Sequence, residues 1–313
     1  MMNSMHWAKQ AYLSSALVYP IGYMFVQAVR DDVSFTKLYV HRLAQQPPDH
    51  LSEIFESELL NVKMKRVFNV KLTMTDGLEP KTYGSFLLKN GAEIQLPIRM
   101  AFHDVEEARD LGKAIELDMG IPSSRRKVDT NSQLADEMLT RMVLSPAAKH
   151  FAIRREIIRG QSGTMLLTVP AIWMGVVGTG YAALAVLSPI IGPIAASVFT
   201  FTGAVAMFRT AVKTYGTSIE KRLDREAIEQ DPSYIDGAKD YLKSSMRLCR
   251  YLRKVMGEDG AKTFSEIGDC LKSDVKYSTR LSEIEAYLRH KEGKPLRRRT
   301  KQPQMEFDDL SSD

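Results

Sequence analysis

Between Arg159 and Arg209 the chain runs forty-nine residues, 160–208, without one Asp, Glu, Lys, Arg or His. A helix rises ~1.5 Å per residue and the hydrocarbon core of a bilayer is ~30 Å thick, so about twenty apolar residues cross it once. The run therefore holds two crossings. Ser188-Pro189 and Gly192-Pro193 sit near its middle, where proline removes backbone donors and glycine permits a sharp reversal. The pattern predicts a helical transmembrane hairpin over 161–209, with spans near 165–187 and 190–208. The competing reading is a hairpin buried in a large soluble core, but soluble helices rarely carry so long an uncharged stretch.

A weaker apolar segment, Gln10 to Val29, lies between Lys9 and Arg30 and contains Pro20, Gly22, three tyrosines and two glutamines. A cleaved secretory signal wants a cleaner apolar centre and a small-residue cleavage site, so 1–30 is read as an N-terminal transmembrane anchor. No acidic residue precedes Asp31, which suits a mitochondrial address, although arginines are few for a transit peptide.

The remainder is polar enough for water, with 26 % charged residues and a mean hydropathy of -0.22. The net charge is +5, and the basic surplus gathers at the hairpin: Lys149, Arg154, Arg155 and Arg159 before it, Arg209, Lys213, Lys221, Arg222 and Arg225 after it. Such flanks fix topology and meet lipid headgroups, so the lipid bilayer is the expected partner and nucleic acid is not. They also place both ends of the hairpin on one side of the membrane. The two cysteines, Cys249 and Cys270, fall on separate predicted helices and read as free core thiols.

The stretch 31–160 reads as an α+β soluble domain. After the Pro47-Pro48 break, Leu51, Ile54, Phe55, Leu59 and Val62 recur at helical spacing over 50–63. A strand from Val67 to Met74 ends at Asp76-Gly77, and the runs Thr82–Leu88 and Ala92–Met100 flank Asn90-Gly91, the signature of a type I′ hairpin. A sheet of about three antiparallel strands follows. Helical texture returns at Val105–Met119 and, after a polar loop at 122–131, from Gln133 to Gly160. Beyond the hairpin, a helical region over 210–292 contains Thr214–Glu229, Tyr234–Met256 and Ser278–His290, and a charged tail over 293–313 reads as disordered. The expected fold class is an α+β membrane protein with its hairpin between a small antiparallel-sheet/helix domain and a C-terminal helical region.

The borders of the hairpin carry the chemistry. Arg155-Glu156-Ile157-Ile158-Arg159 stands where a membrane zinc peptidase would put His-Glu-x-x-His, two imidazoles one turn apart on the metal. Glu220-Lys221-Arg222-Leu223-Asp224 has the Glu-x-x-x-Asp form that supplies the third ligand in such enzymes. Arginine stays protonated and has no lone pair to donate, so Arg155, Glu156, Arg159, Glu220 and Asp224 are expected to form a charge cluster in a degenerate zinc-peptidase-like fold. The bland alternative is unrelated juxtamembrane charges on two amphipathic helices. His150 is the only histidine near the hairpin, Gly160-Gln161-Ser162-Gly163 lacks nucleophile-elbow spacing, and no phosphate loop occurs. No catalytic, cofactor-binding or metal-binding residues are therefore expected, and a membrane-bound zinc-peptidase-like hydrolase stands as the alternative function. The spans carry Gly175, Gly178, Gly180, Gly192, Ala195, Ala196, Gly203 and Ala204; small residues let helices approach closely in lipid, making Gly175, Gly178 and Gly203 candidate helix-packing positions.

The segment Leu144-Ser145-Pro146-Ala147-Ala148-Lys149-His150-Phe151-Ala152-Ile153-Arg154-Arg155-Glu156 before the hairpin resembles the transmembrane protein 177 family of mitochondrial inner-membrane proteins. Ser218-Ile219-Glu220-Lys221-Arg222-Leu223-Asp224-Arg225, Tyr241-Leu242 and Leu252-Arg253-Lys254-Val255-Met256-Gly257-Glu258-Asp259-Gly260-Ala261-Lys262 match in order and spacing. The resemblance covers most of the chain, is loose between 65 and 140 and is absent from the tail. It implies a non-catalytic, multi-pass assembly factor of the mitochondrial inner membrane. Such a factor would bind newly made cytochrome c oxidase subunit 2 and its membrane assembly chaperone.

Overall fold

The computed structural model describes residues 2–29, 46–62, 70–75, 77–89, 91–114, 133–271, 273, 275–291 and 293. The expected loop at 122–131, the end of the 105–119 helix and the tail beyond Gly293 lie outside the described residues. The helices are α1 (Met2–Val29), α2 (Asp49–Leu60), α3 (Val105–Ala114), α4 (Gln133–Met142), α5 (Pro146–Ser162), α6 (Thr164–Ile191), α7 (Pro193–Gln230), α8 (Ser233–Met256), α9 (Glu258–Thr263) and α10 (Tyr277–Lys291). The strands are β1 (Val70–Thr75), β2 (Lys81–Gly84) and β3 (Ala92–Pro97).

The sheet is mixed, not antiparallel as expected. Its order is β1-β3-β2, with β1 parallel to β3 and β2 antiparallel to it. The reason lies in β3, whose Ala92, Ile94, Gln95, Leu96 and Pro97 are buried and which therefore takes the middle place. Because the chain reverses once between β1 and β2 and again before β3, the inserted strand must run parallel to β1. The 82–100 hairpin does pair, with Gly84 opposite Ala92 and Lys81 opposite Gln95. The ladder ends at Gly84 and Ala92, before the expected turn, because Phe86 leaves it to pack beneath Gly160 of α5; Asn90 of the expected turn lies outside the described residues.

The expected helix from 133 to 160 is broken at Val143-Leu144-Ser145. Ser145 caps α5 by accepting from the Ala148 N–H at 3.2 Å, with Pro146 in the first turn, an arrangement proline and serine favour at helix starts. Gly163, at φ 56°, ends α5 and opens α6; that left-handed conformation suits glycine. Gly192, at φ 84°, separates α6 from α7, so the reversal falls between Pro189 and Pro193. The second span and the expected 214–229 helix are one continuous helix of 38 residues.

Among the described residues, helices α6 and α7 contain the two segments long and apolar enough to cross a membrane, Leu166–Ile191 and Pro193–Gln230, and only 17 % of the most apolar window of each is buried. A soluble core hairpin would hide such faces. Here Leu167, Met174, Val186, Ile190, Ile194, Val198 and Phe199 point outward. Helix α1 packs along both partners: the Tyr12 hydroxyl donates to Thr200 of α7, and Trp173 Nε1 of α6 donates to the Ser15 carbonyl at 2.9 Å. Tyr19 meets Trp173 and Phe208 near the base of the hairpin, while Tyr12 meets Tyr181 and Phe201 closer to its tip. The start of α1 therefore lies toward the hairpin tip and its end toward the polar region.

That polar region has a large core drawn from both sides of the hairpin. Leu51, Phe55, Ile94 and Leu96 from the first part share it with Phe151, Ile157, Leu223, Tyr241, Leu252 and Leu281. Helices α5 and α8 cross at near backbone contact, since a Cβ on Gly237 would sit 2.3 Å from the Ala147 carbonyl oxygen. Cys249 is buried, Cys270 half-buried, and both are free. Cys270 bridges Phe264 in extended backbone rather than lying on the expected helix.

Two substitutions check this packing. Gly237→Ala should destabilise the polar region by ~1–3 kcal/mol, the usual cost of overpacking, read as a lower melting temperature in detergent; an unchanged melting temperature would refute the close crossing. Tyr12→Phe removes one buried hydrogen bond and should loosen α1 by about 1 kcal/mol, measured as faster proteolysis between α1 and α2.

Candidate functional site

At the base of the hairpin, α5 presents Arg155, Glu156 and Arg159, and the antiparallel α7 presents Glu220 and Asp224, four residues apart and thus on one face. The two faces meet. Arg155 Nη1 lies 2.7 Å from Glu156 Oε1 and its Nε 2.8 Å from Asp224 Oδ1, and its Nη2 pairs with Glu220 Oε2. Arg159 Nε lies 2.9 Å from Glu156 Oε2 and its Nη1 2.8 Å from Glu220 Oε1. From α10, Arg280 grips Asp224 with two parallel bonds, Nε to Oδ2 and Nη2 to Oδ1, both 2.7 Å. Thr82 of β2 donates to Glu156 Oε2 at 2.8 Å.

Three arginines thus meet three carboxylates, and every carboxylate oxygen lies in an ion pair with one of them. Arg155, Glu156, Asp224 and Arg280 are almost wholly withdrawn from solvent. Burial by itself raises the Asp224 carboxyl, but Arg280 and Arg155 outweigh it and hold it below its ordinary value. For Arg280, burial opposes the charge and Asp224 overrides it, so its proton is held more tightly than usual. Chemically the arrangement is a closed ion cluster. Every oxygen of Glu156 and Glu220 is ion-paired with an arginine, and among the described residues no group of three or more His, Cys, Asp or Glu could hold a metal ion.

A second polar cluster lies farther along α5. Glu58 is 3 % exposed; it accepts from Tyr234 at 2.6 Å and lies 2.7 Å from His150 Nδ1, and its backbone carbonyl accepts from Arg154 Nη1 at 3.0 Å. Burial and the Glu58 carboxylate push the Tyr234 hydroxyl well above its ordinary value. Lys149 spends its buried ammonium on the Phe102 carbonyl at 2.8 Å. These basic residues before the hairpin are therefore tied into the core rather than offered to headgroups, whereas Arg209 is exposed.

The structure brings together all five charges expected at the cluster. It does not bring Gly175, Gly178 and Gly203 against any neighbour: each is exposed with open space where a Cβ would be. Within the chain, close approach falls instead on Gly180, which faces Tyr12 and Ala204. Sequence reasoning missed Arg280, Thr82, Glu58 and Tyr234. A signal for two of them existed, because Glu58 continues the Leu51–Phe55 stripe of α2, and Arg280 stands beside Leu281 and one turn before Ile284 on the buried face of α10.

These features define a class: a helical membrane protein whose hairpin rises from a polar body locked at its base by buried ions. The chain matches the family model described as Transmembrane protein 177 over residues 6–293, nearly its whole length, and belongs to that family. No match is found among curated proteins or among solved structures.

The cluster sets an acid limit on stability. A carboxyl whose folded value is depressed stabilises the fold above its unfolded value of ~3.9 and loses that contribution as the pH falls toward the folded value. The melting temperature should therefore decline progressively below about pH 5. Asp224→Asn should cost ~3–5 kcal/mol at neutral pH by stranding Arg155 and Arg280 and should flatten the acid decline; an equally steep decline in the variant would show that Asp224 does not carry it.

Proposed function

We propose that this protein is a non-catalytic assembly or stabilising factor of the mitochondrial inner membrane that binds cytochrome c oxidase subunit 2 and its membrane chaperone. The observation that carries the reading is an unused helix-packing face on α6. Ala171, Gly175, Gly178 and Ala182 recur at helical spacing and are exposed, and no atom comes near the Cβ position of either glycine. In lipid the hydrophobic effect does not drive helices together, and close approach at small residues supplies much of the association. A groove of this kind fits the transmembrane helix of another protein.

The buried cluster supports the absence of chemistry. We read it as a zinc-peptidase arrangement whose imidazoles have been replaced by Arg155 and Arg159, and whose would-be base, Glu156, is occupied by both arginines and Thr82. The free energy that would poise a reactive site is spent on holding the base of the hairpin shut.

Affinity purification from gently solubilised mitochondria should recover oxidase subunit 2 or its chaperone, and Gly175→Leu with Gly178→Leu should reduce that recovery at unchanged protein level. Recovery of neither partner, with subunit 2 abundance unaltered by deletion, would remove the assembly role. The ancestry reading has its own check: Arg155→His with Arg159→His should create a zinc site detectable by metal analysis, whereas the parent protein should carry no stoichiometric zinc.

A further inference from the structure

The β2–β3 loop is fastened to the root of the first membrane span. The Ser85 hydroxyl donates to the Gly160 carbonyl at 3.0 Å and the Phe86 N–H donates to the same oxygen at 3.0 Å. Phe86 is 1 % exposed and fills the notch left by Gly160, where a Cβ would lie 2.7 Å from its ring. Held this firmly, the loop nevertheless presents its next residue outward: Leu87 is 60 % exposed. Its Cδ1 lies 2.7 Å from where a Cβ of Gly163 would be.

Gly163 has no side chain, and one helical turn on, on the same side, stands Leu167. Leu167 is exposed, and so is Met174, seven residues beyond Leu167 on the outer face of the span. Leu87 therefore supplies, from another element, the apolar group that Gly163 lacks at the lower end of this stripe. Lys89, two residues on, is exposed as well. The apolar helix Thr164–Ile191 is 28 residues, or ~42 Å at ~1.5 Å per residue, which matches the ~40–45 Å of a bilayer with its interfacial layers rather than its hydrocarbon core alone. Its first turn, where Leu87 sits, falls in the interfacial layer.

We propose that the β2–β3 loop is a membrane-interface contact, in which Leu87 enters the boundary between headgroups and acyl chains and Lys89 meets lipid phosphate. The occupant of this surface is the bilayer, because Leu87 is continuous with the outward face of a membrane span. Anchored at Gly160 and dipped in lipid at Leu87, the loop fixes the tilt of the sheet against the membrane plane.

The test uses the full-length protein with Cys270→Ser, so that buried Cys249 alone remains, reconstituted in phosphatidylcholine vesicles containing doxyl-labelled lipid. A nitrobenzoxadiazole label is placed by Leu87→Cys, by Leu167→Cys as the inserted reference, and by Asp236→Cys on the exposed start of α8 as the aqueous reference. Lipid quenching at 87 at least half that at 167, with none at 236, is the expected result. A label at 87 quenched by aqueous iodide and not by doxyl lipid overturns the proposal. So does a blue-shifted label at 87 that neither quencher reaches, since that places it against protein, including a second copy of this chain. The labelled Leu87→Cys protein is also made with a second label at Leu167→Cys, and lipid quenching at 167 in that protein shows that the hairpin has inserted, which separates a wrong proposal from a misfolded variant.

Discussion

Three guanidinium groups set among three carboxylates tie this molecule together at the base of its hairpin. Desolvating that many ions is costly, and the cost is met only when each partner is present in good geometry. The geometry recruits parts of the chain that are far apart in sequence. Arg155 reaches Asp224 across 69 positions, and Arg280 reaches the same carboxylate across 56. Helices α5, α7 and α10 therefore cannot take their places independently. The ion cluster offers little net stability against an apolar substitute, but it specifies one register of α5 against α7 and so one geometry for the root of the hairpin.

On either side of that point the cohesive forces differ. In the polar region, apolar burial works, and residues from both sides of the hairpin share a core. Around the apolar spans of α6 and α7 there is no water to exclude, so they rely on close fit, and α1 is held against them by aromatic side chains and two long-range hydrogen bonds from Tyr12 and Trp173. The outer glycines contribute nothing to this internal packing. Their openness is what lends weight to a role in holding another membrane protein.

Much of this was legible from the residues alone because the strongest signals are local. An uncharged run, helical periodicity and a glycine between prolines need no knowledge of the rest of the chain, and they locate both spans and most helices. The convergence of Arg155, Glu156, Arg159, Glu220 and Asp224 was readable from spacing, because both motifs flank an antiparallel hairpin and must lie side by side. What spacing could not supply was long-range choice. The parallel pairing of β1 with β3 depends on which strand is most buried, and the end of the β2–β3 ladder at Gly84 and Ala92 depends on Phe86 finding Gly160. Arg280 and Glu58 are buried only because the rest of the chain packs over the faces on which they stand, a placement that local spacing does not carry.

Helix α7 carries one consequence beyond packing. At 38 residues it is ~57 Å of unbroken rod, and its lower half holds Glu220 and Asp224 while its upper half lies in the apolar bundle. A rod without a joint acts as a lever. When the membrane end tilts or rotates, through a change in bilayer thickness or the arrival of a neighbouring helix, the motion is delivered as torque to the ion cluster. The chain thus has a mechanical path by which events within lipid reach its polar body.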